Sequence, residues 1–213
     1  GSVAPLAPDP AAQLRTIRAL RDEAFDVLHL HEPLAPGPTM TALLFRNAPI
    51  VGTFHRAGDS AAYKLARPVV RWMAKRLDLR CAVSKDARAT AHKALGGEYE
   101  LLFNGIEIER FAKATPTPTD GPTILFVGRH EERKGLSVLL DALRLLPQDV
   151  RVWVGGVGPQ TEALRAAHGG DPRIEWLGRM SSEEVASRMR AADVFCAPSL
   201  HGESFGVVLL EAM

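Results

Sequence analysis

Cysteine is scarce in this chain. Cys81 and Cys196 are the only two, far apart in the sequence. Both lie in apolar, strand-like runs, so two buried, reduced thiols are expected rather than a disulfide framework. Imbalance of charge is also lacking: 26 Lys and Arg stand against 25 Asp and Glu, a formal net charge of +1. That removes any global electrostatic case for nucleic acid and leaves anion or membrane affinity to local patches. No run reaches the ~20 apolar residues of a membrane span, and no signal-peptide pattern is visible. The chain has no G-x-S-x-G, no P-loop and no H-E-x-x-H, which excludes the commonest hydrolase, nucleotide-hydrolase and zinc-protease readings. The glycine-rich run at 155–158 follows a strand but lacks the full G-x-G-x-x-G spacing. It turns the chain or lets backbone approach a ligand, and is weak as a dinucleotide signal.

What is present is ordinary for a globular protein, with 46% apolar and 24% charged residues among 213. The length suits one large or two small domains. The chain starts without Met and stops at Met213 inside an apolar helical pattern, so it reads as part of a longer protein. Strands are expected over 25–31, 49–55, 79–84 and 99–104. Helices are expected over 11–24, 39–47, 60–77 and from Ser84 or Asp86 to 95. The alternation restarts with strands over 123–128, 150–155, 173–178 and 194–199. Its helices fall at 136–146, 161–167 and 181–192, the last opened by a Ser181/Glu184 capping box. Such alternation implies two parallel α/β units. Between them the segment A-T-P-T-P-T-D-G-P at 114–122 reads as an interdomain linker. Domains are therefore expected over 1–113 and 123–213. Ligands would bind beyond the carboxyl ends of the strands, in the cleft between two such domains.

Residues with chemistry gather at those strand ends. His29, His31, Glu32, His55, Ser84 and Asn104 all fall there. His29 and His31 share one side of a strand, but no third ligand has a spacing that supports a metal site. His55 is either a hydrogen-bonded structural histidine or a site residue. Arg15, Arg18 and Arg21 recur every third residue on the first helix, as a solvated face or as a contact for anionic lipid headgroups. Arg129 and Lys134 lie in the loop R-H-E-E-R-K-G after a strand. A guanidinium fork and an ammonium both suit phosphate oxygens; the alternative is a solvated run shared with Glu131, Glu132 and Arg133. The last thirteen residues read H-G-E-S-F-G-V-V-L-L-E-A-M. A helix is expected to begin near Ser204 or Phe205, and its first N–H groups would be free for an anion. Glu203 and Glu211 would be about 12 Å apart along a wholly helical span, which suits opposite ends of one extended ligand. The alternative is a helix-start acid and an exposed helical residue.

Together, the Glu203–Glu211 pair in G-E-S-F-G-V-V-L-L-E-A-M, the loop G-R-H-E-E-R-K-G and N-G-I-E at 104–107 resemble retaining glycosyltransferases of the GT-B type. Such enzymes have two Rossmann-like domains facing each other across a cleft. F-D-V-L-H-L-H-E-P, T-F-H at 53–55 and G-E-S-F-G resemble actinobacterial phosphatidylinositol mannosyltransferases more closely, over 25–213. The opening G-S-V-A also looks like that group. The resemblance implies transfer of mannose from a GDP-mannose donor to a phosphatidylinositol-type lipid with retention of configuration. It implies no metal and no cofactor besides the donor substrate, no nucleic-acid partner, and a peripheral place on an anionic membrane surface at the cytoplasmic face. It places Arg129 and Lys134 at the donor diphosphate with Ser204, Phe205 and Gly206. Glu203 falls near the donor sugar, Glu211 at the ribose and His55 near the reacting centre. The sequence departs from the family in lacking the first strand and its Gly-rich loop before Gly1, and the elements that follow Met213. Both domains are thus expected to be incomplete. Alternatives are another nucleotide sugar, a soluble inositol-phosphate acceptor, or an inactive nucleotide-sugar-binding fragment.

Overall fold

The computed structural model describes residues 9–57, 66–201 and 205–213. The chain divides into two compact units, Ser2–Asn104 and Gly105–Met213.

The first unit alternates helix and strand: α1 Pro10–Asp22, β1 Leu28–His31, α2 Pro38–Phe45, β2 Ile50–Phe54, α3 Arg67–Ala74, β3 Leu79–Ala82, α4 Lys85–Leu95 and β4 Glu100–Leu101. The strands are parallel and lie in the order β1-β2-β3-β4. Proline stands in the first turn of α1, α2 and α3, where its missing N–H has no partner to lose. Asp9 caps α1 by accepting from the Ala12 amide, and Ser84 caps α4 by accepting from Ala87. Strand β1 alternates buried Leu28 and Leu30 with exposed His29 and His31. The leucines enter a core with Leu43, Ile50, Val70, Met73 and Leu95, each such burial worth roughly 1.5–3 kcal/mol. The histidines are thereby turned to the opposite face.

The second unit comprises α5 Ile108–Ala112, β5 Thr123–Val127, a 3-10 turn Glu132–Lys134, α6 Leu136–Ala142, β6 Arg151–Gly155, α7 Thr161–His168, β7 Ile174–Gly178, α8 Ser182–Ala191, β8 Val194–Phe195 and α9 Val207–Ala212. Its strands are parallel in the order β7-β6-β5-β8. The chain steps outward from β5 through β6 to β7, then returns to place β8 on the other side of β5. The loops that follow β5 and β8 therefore leave neighbouring strands at one carboxyl edge, the switch-point arrangement at which α/β sheets bind ligands. Phe126, Leu136, Leu139, Leu140, Val152 and Val154 fill its core. The Ser181/Glu184 capping box is formed on both sides.

Several elements differ from expectation. Strands β4 and β8 are two residues each, since only Glu100–Leu101 and Val194–Phe195 stay in register with their neighbour. The helix expected over 60–77 is described only as α3, since 58–65 lie outside the described residues. Cys81 is buried, whereas Cys196 falls one residue past β8 and is half-buried; both are free thiols. The 114–122 segment groups with the second unit. Thr117 and Ser187 join hydroxyls at 2.7 Å, and Ser187 also donates to the Thr115 carbonyl.

Candidate functional site

The carboxyl edge of the second unit is built from backbone packing. Gly135 ends the R-H-E-E-R-K-G loop at φ +67°, and a Cβ there would stand 2.1 Å from the Pro198 carbonyl oxygen. The Leu200 amide donates to the Arg133 carbonyl at 2.8 Å. Thus the loop carrying Arg129 and Lys134 is docked on the segment that runs from β8 towards residues 202–204. On its other side lies the glycine-rich run after β6. Gly156, at φ +105°, brings backbone so near that a Cβ would meet the Gly128 carbonyl oxygen at 2.0 Å. These glycines let the chain approach its own backbone closely.

Within the loop, Glu131 takes an arginine on each oxygen: Arg129 at 3.0 Å and Arg133 at 2.9 Å. Lys134 closes the 3-10 turn two residues after its start. His130 is 1% exposed. Its Nδ1 meets the Thr161 hydroxyl at 2.9 Å, and that hydroxyl accepts from the Gly158 amide at 2.8 Å. The Gln160 amide donates to the His130 carbonyl. Burial, aided by the charge of Arg165 and opposed by the Gly155 backbone, holds His130 below its ordinary value of 6.5. Unfolded His130 therefore binds a proton that the folded form refuses. Stability from this residue is present above pH 6.5 and is lost as pH falls from there to its depressed folded value. The melting temperature of the second unit is expected to drop below pH 6.5 in calorimetry, and His130→Gln is expected to flatten that acid limb.

Phe205 is half-buried and Gly206 buried at φ +77° just before α9; Glu211 lies half-buried on α9. The helix starts at Val207, later than Ser204 or Phe205. Glu203 and Ser204 lie outside the described residues.

His55 belongs to the first unit, one residue past β2. The carboxyl ends of β1 and β2 carry a histidine cluster. His31 Nδ1 and His55 Nε2 are 2.7 Å apart, and His29 Nε2 meets the Thr53 hydroxyl at 2.8 Å. The His29 and His31 ring centroids are 4.5 Å apart. Although both rings keep much solvent contact, partial desolvation by the clustered rings and the neighbouring His31 lower the pKa of His29; the same desolvation and His55 lower that of His31, against the opposing charge of Glu32. Both rings are thus favoured in the neutral form. Among the described residues, no group of three or more His, Cys, Asp or Glu is arranged to hold a metal.

Sequence reasoning placed Glu32 near a strand end but missed its role. One carboxylate oxygen accepts from the His55 amide at 2.7 Å and from the Arg56 amide at 2.9 Å. Its own backbone sits at φ +52°, a left-handed conformation that costs a non-glycine residue on the order of 1–2 kcal/mol. Nothing in the spacing signals this, since Glu is not a residue type chosen for that conformation. Glu32→Ala removes the acceptor from both amides, one part-buried and one exposed, and is expected to destabilise the first unit by about 1–2 kcal/mol in urea titration. Glu32→Gln keeps an acceptor oxygen and should restore most of it.

The description Glycosyltransferase Family 4 matches residues 3–110, and Glycosyl transferases group 1 matches 121–213. Along its whole length the chain is 42% identical to the phosphatidyl-myo-inositol mannosyltransferase of Mycobacterium leprae, of which it covers 59%. It is 36% identical to the protein of the same name from Propionibacterium freudenreichii, of which it covers 56%. The chain thus spans less than two thirds of the length of these relatives. Among solved structures, Anabaena HepE in complex with UDP-glucose matches at a TM-score of 0.71 and 21% identity, over 99% of this chain and 64% of that one. Sucrose-phosphate synthase from Thermosynechococcus elongatus matches at 0.73 and 22%, over 94% and 57%. The fold is that of GT-B proteins, with partial Rossmann-like α/β domains.

Proposed function

This chain belongs to Glycosyltransferase Family 4, and from that premise we propose that its protein transfers mannose from GDP-mannose to a phosphatidylinositol-type lipid with retention of configuration. The observation that carries the donor site is the docking of the Arg129–Gly135 loop on the segment from β8, through the Arg133–Leu200 bond and the Gly135–Pro198 contact. It brings a fork and an ammonium to the edge where the Glu203 stretch begins. The acceptor is supported by whole-chain identity to the mannosyltransferases.

In this reading Arg129 and Lys134 meet the donor diphosphate, with Ser204, Phe205 and Gly206 beside it. Glu131 pairs with Arg129 before the donor arrives, and the diphosphate then competes for that guanidinium. Glu203 faces the sugar, Glu211 the ribose and His55 the acceptor hydroxyl. The bond from the anomeric carbon to the diphosphate oxygen breaks, and its electron pair stays on the diphosphate. The acceptor oxygen bonds the same carbon from the same face, and its proton passes to a diphosphate oxygen. Fixed cations stabilise the charge as it develops, in the place a divalent ion would take. We place the protein at the cytoplasmic face of the plasma membrane; no helix of the described residues is long and apolar enough to cross a membrane.

A second reading has a soluble acceptor, since the D-inositol 3-phosphate glycosyltransferase of Mycolicibacterium smegmatis is 29% identical over 92% of the chain. The test is a donor panel on the full-length protein: GDP-mannose, UDP-glucose and UDP-N-acetylglucosamine, each offered phosphatidylinositol or inositol 3-phosphate. Labelled lipid from GDP-mannose alone is expected. Transfer only to inositol 3-phosphate selects the second reading, and no transfer from GDP-mannose rejects the first.

A further inference from the structure

The side chains at the carboxyl ends of β1 and β2 repeat one contact. His29 lies opposite Val51 and His31 opposite Thr53 in the parallel register. His29 and His31 are two residues apart, as are Thr53 and His55, so all four fall on one side of the sheet. Each rung reaches forward by two residues. His29 Nε2 meets the Thr53 hydroxyl at 2.8 Å, and His31 Nδ1 meets His55 Nε2 at 2.7 Å. The row is anchored at its inner end, because Thr53 is 2% exposed. His31 stands between two rings, its centroid 4.5 Å from that of His29 and 4.9 Å from that of His55. Ring pairs at such distances attract one another, so His31 is held on two sides.

The main chain of His55 is fixed from the same strand end. Glu32, the residue after His31, accepts from the His55 amide at 2.7 Å. Consecutive residues at the exit of β1 thus hold the backbone and the ring of one residue. We propose that His31 is a positioning residue for the transfer reaction: by occupying Nε2 of His55 it sets the orientation of that ring and leaves Nδ1 as the nitrogen that meets the acceptor hydroxyl. A single proton lies between the two rings, and Nε2 is occupied whichever ring carries it. The neutral form favoured at His31 suits this, since two charged rings could not share a proton. Among the described residues no other hydrogen bond reaches the His55 ring. Without this one, both side-chain torsions of His55 are free, and a reactive arrangement is reached less often. The bond is exposed to solvent, so its effect on rate is that of one neutral hydrogen bond, about three- to tenfold. The proposal rests on the transfer reading for what His55 does, and on the first unit alone for how its ring is held.

Two variants separate placement of the ring from a general effect on the fold. His31→Asn puts an amide atom where Nδ1 stood, able to donate or accept there. His31→Leu has the same branched shape and no polar atom. Nuclear magnetic resonance of the full-length protein with isotope-labelled histidine reads the ring directly, with His55→Gln assigning its signals. In wild type the His55 nitrogens are expected at the shifts of one fixed tautomer, with a ring order parameter close to that of rigid backbone. His31→Asn should keep both. His31→Leu should move the nitrogens to averaged shifts and lower the order parameter. In transfer from GDP-mannose to phosphatidylinositol, His31→Leu should lower kcat about three- to tenfold and leave KM for GDP-mannose within about twofold, and His31→Asn should recover most of the loss. An unchanged His55 spectrum in His31→Leu overturns the proposal, as do equal, measurable kcat values in the two variants. A ring locked in wild type and released in His31→Leu, in a protein that transfers no mannose, rejects the transfer reading and leaves the positioning of His55 standing.

Discussion

Lys134→Ala in the full-length protein is expected to lower kcat for sugar transfer by about 10²–10³, the cost of losing one preorganised group at a developing oxyanion. Lys134 closes the 3-10 turn of a loop that is held from both sides by backbone, through Gly156 against Gly128 and Gly135 against Pro198. Removing its ammonium leaves those backbone contacts in place, so the loop should stay docked and the variant should still fold cooperatively. Lys134→Arg keeps the charge but replaces a point charge by a planar fork, and should recover only part of the rate. A wild-type kcat in Lys134→Ala removes the residue from the donor site.

The second large effect is on folding. Gly135→Ala puts a Cβ 2.1 Å from the Pro198 carbonyl oxygen at a backbone φ of +67°. Neither partner is the movable end of a side chain, so the loop must leave the β8 segment. Strain of this kind costs on the order of 3 kcal/mol or more, which for a unit of this size lowers the melting temperature by about 10 °C or more. Donor affinity should fall with it, because Arg129 and Lys134 lose their fixed place. Gly105→Ala is the control: nothing lies within 4 Å of a Cβ there, and it should melt like wild type. If Gly135→Ala melts like Gly105→Ala, the docking does not hold the loop.

The alternation of strands and helices was legible because the elements that carry the sheets have clear apolar patterns. Leu28 and Leu30 against His29 and His31 is a period of two that the structure reproduces residue by residue. What was hard to read has local physical causes. α5 is five residues long, too short to show a helical period. The apolar runs at 99–104 and 194–199 continue past the residues that pair, so pattern overstates β4 and β8. Arg129 and Lys134 could be placed at a strand end, but Glu131 bridging Arg129 to Arg133 follows from loop geometry that charge order does not reveal. The glycines at 155–158 were visible, while the partner they approach, residues 128–130, depends on which strands become neighbours. His130 was invisible as a buried histidine because it sits amid charged residues in the sequence. Glu203, the residue on which the opening of the donor stretch turns, lies outside the described residues and keeps the role proposed from the resemblance.

In the proposed donor site, the loop after β5 and the segment after β8 together seat the diphosphate. Amide chemical-shift mapping of the full-length protein with GDP-mannose, and with GMP as the partner lacking the second phosphate, tests it most directly. The expected result is a set of donor-dependent shifts over 128–135 and 198–206, with GMP leaving those of Arg129 and Lys134 nearly unmoved. Shifts confined to the cavity lined by Thr117, Arg151, Trp153 and Arg188 at the opposite, amino ends of the strands, with 128–135 silent, would contradict it.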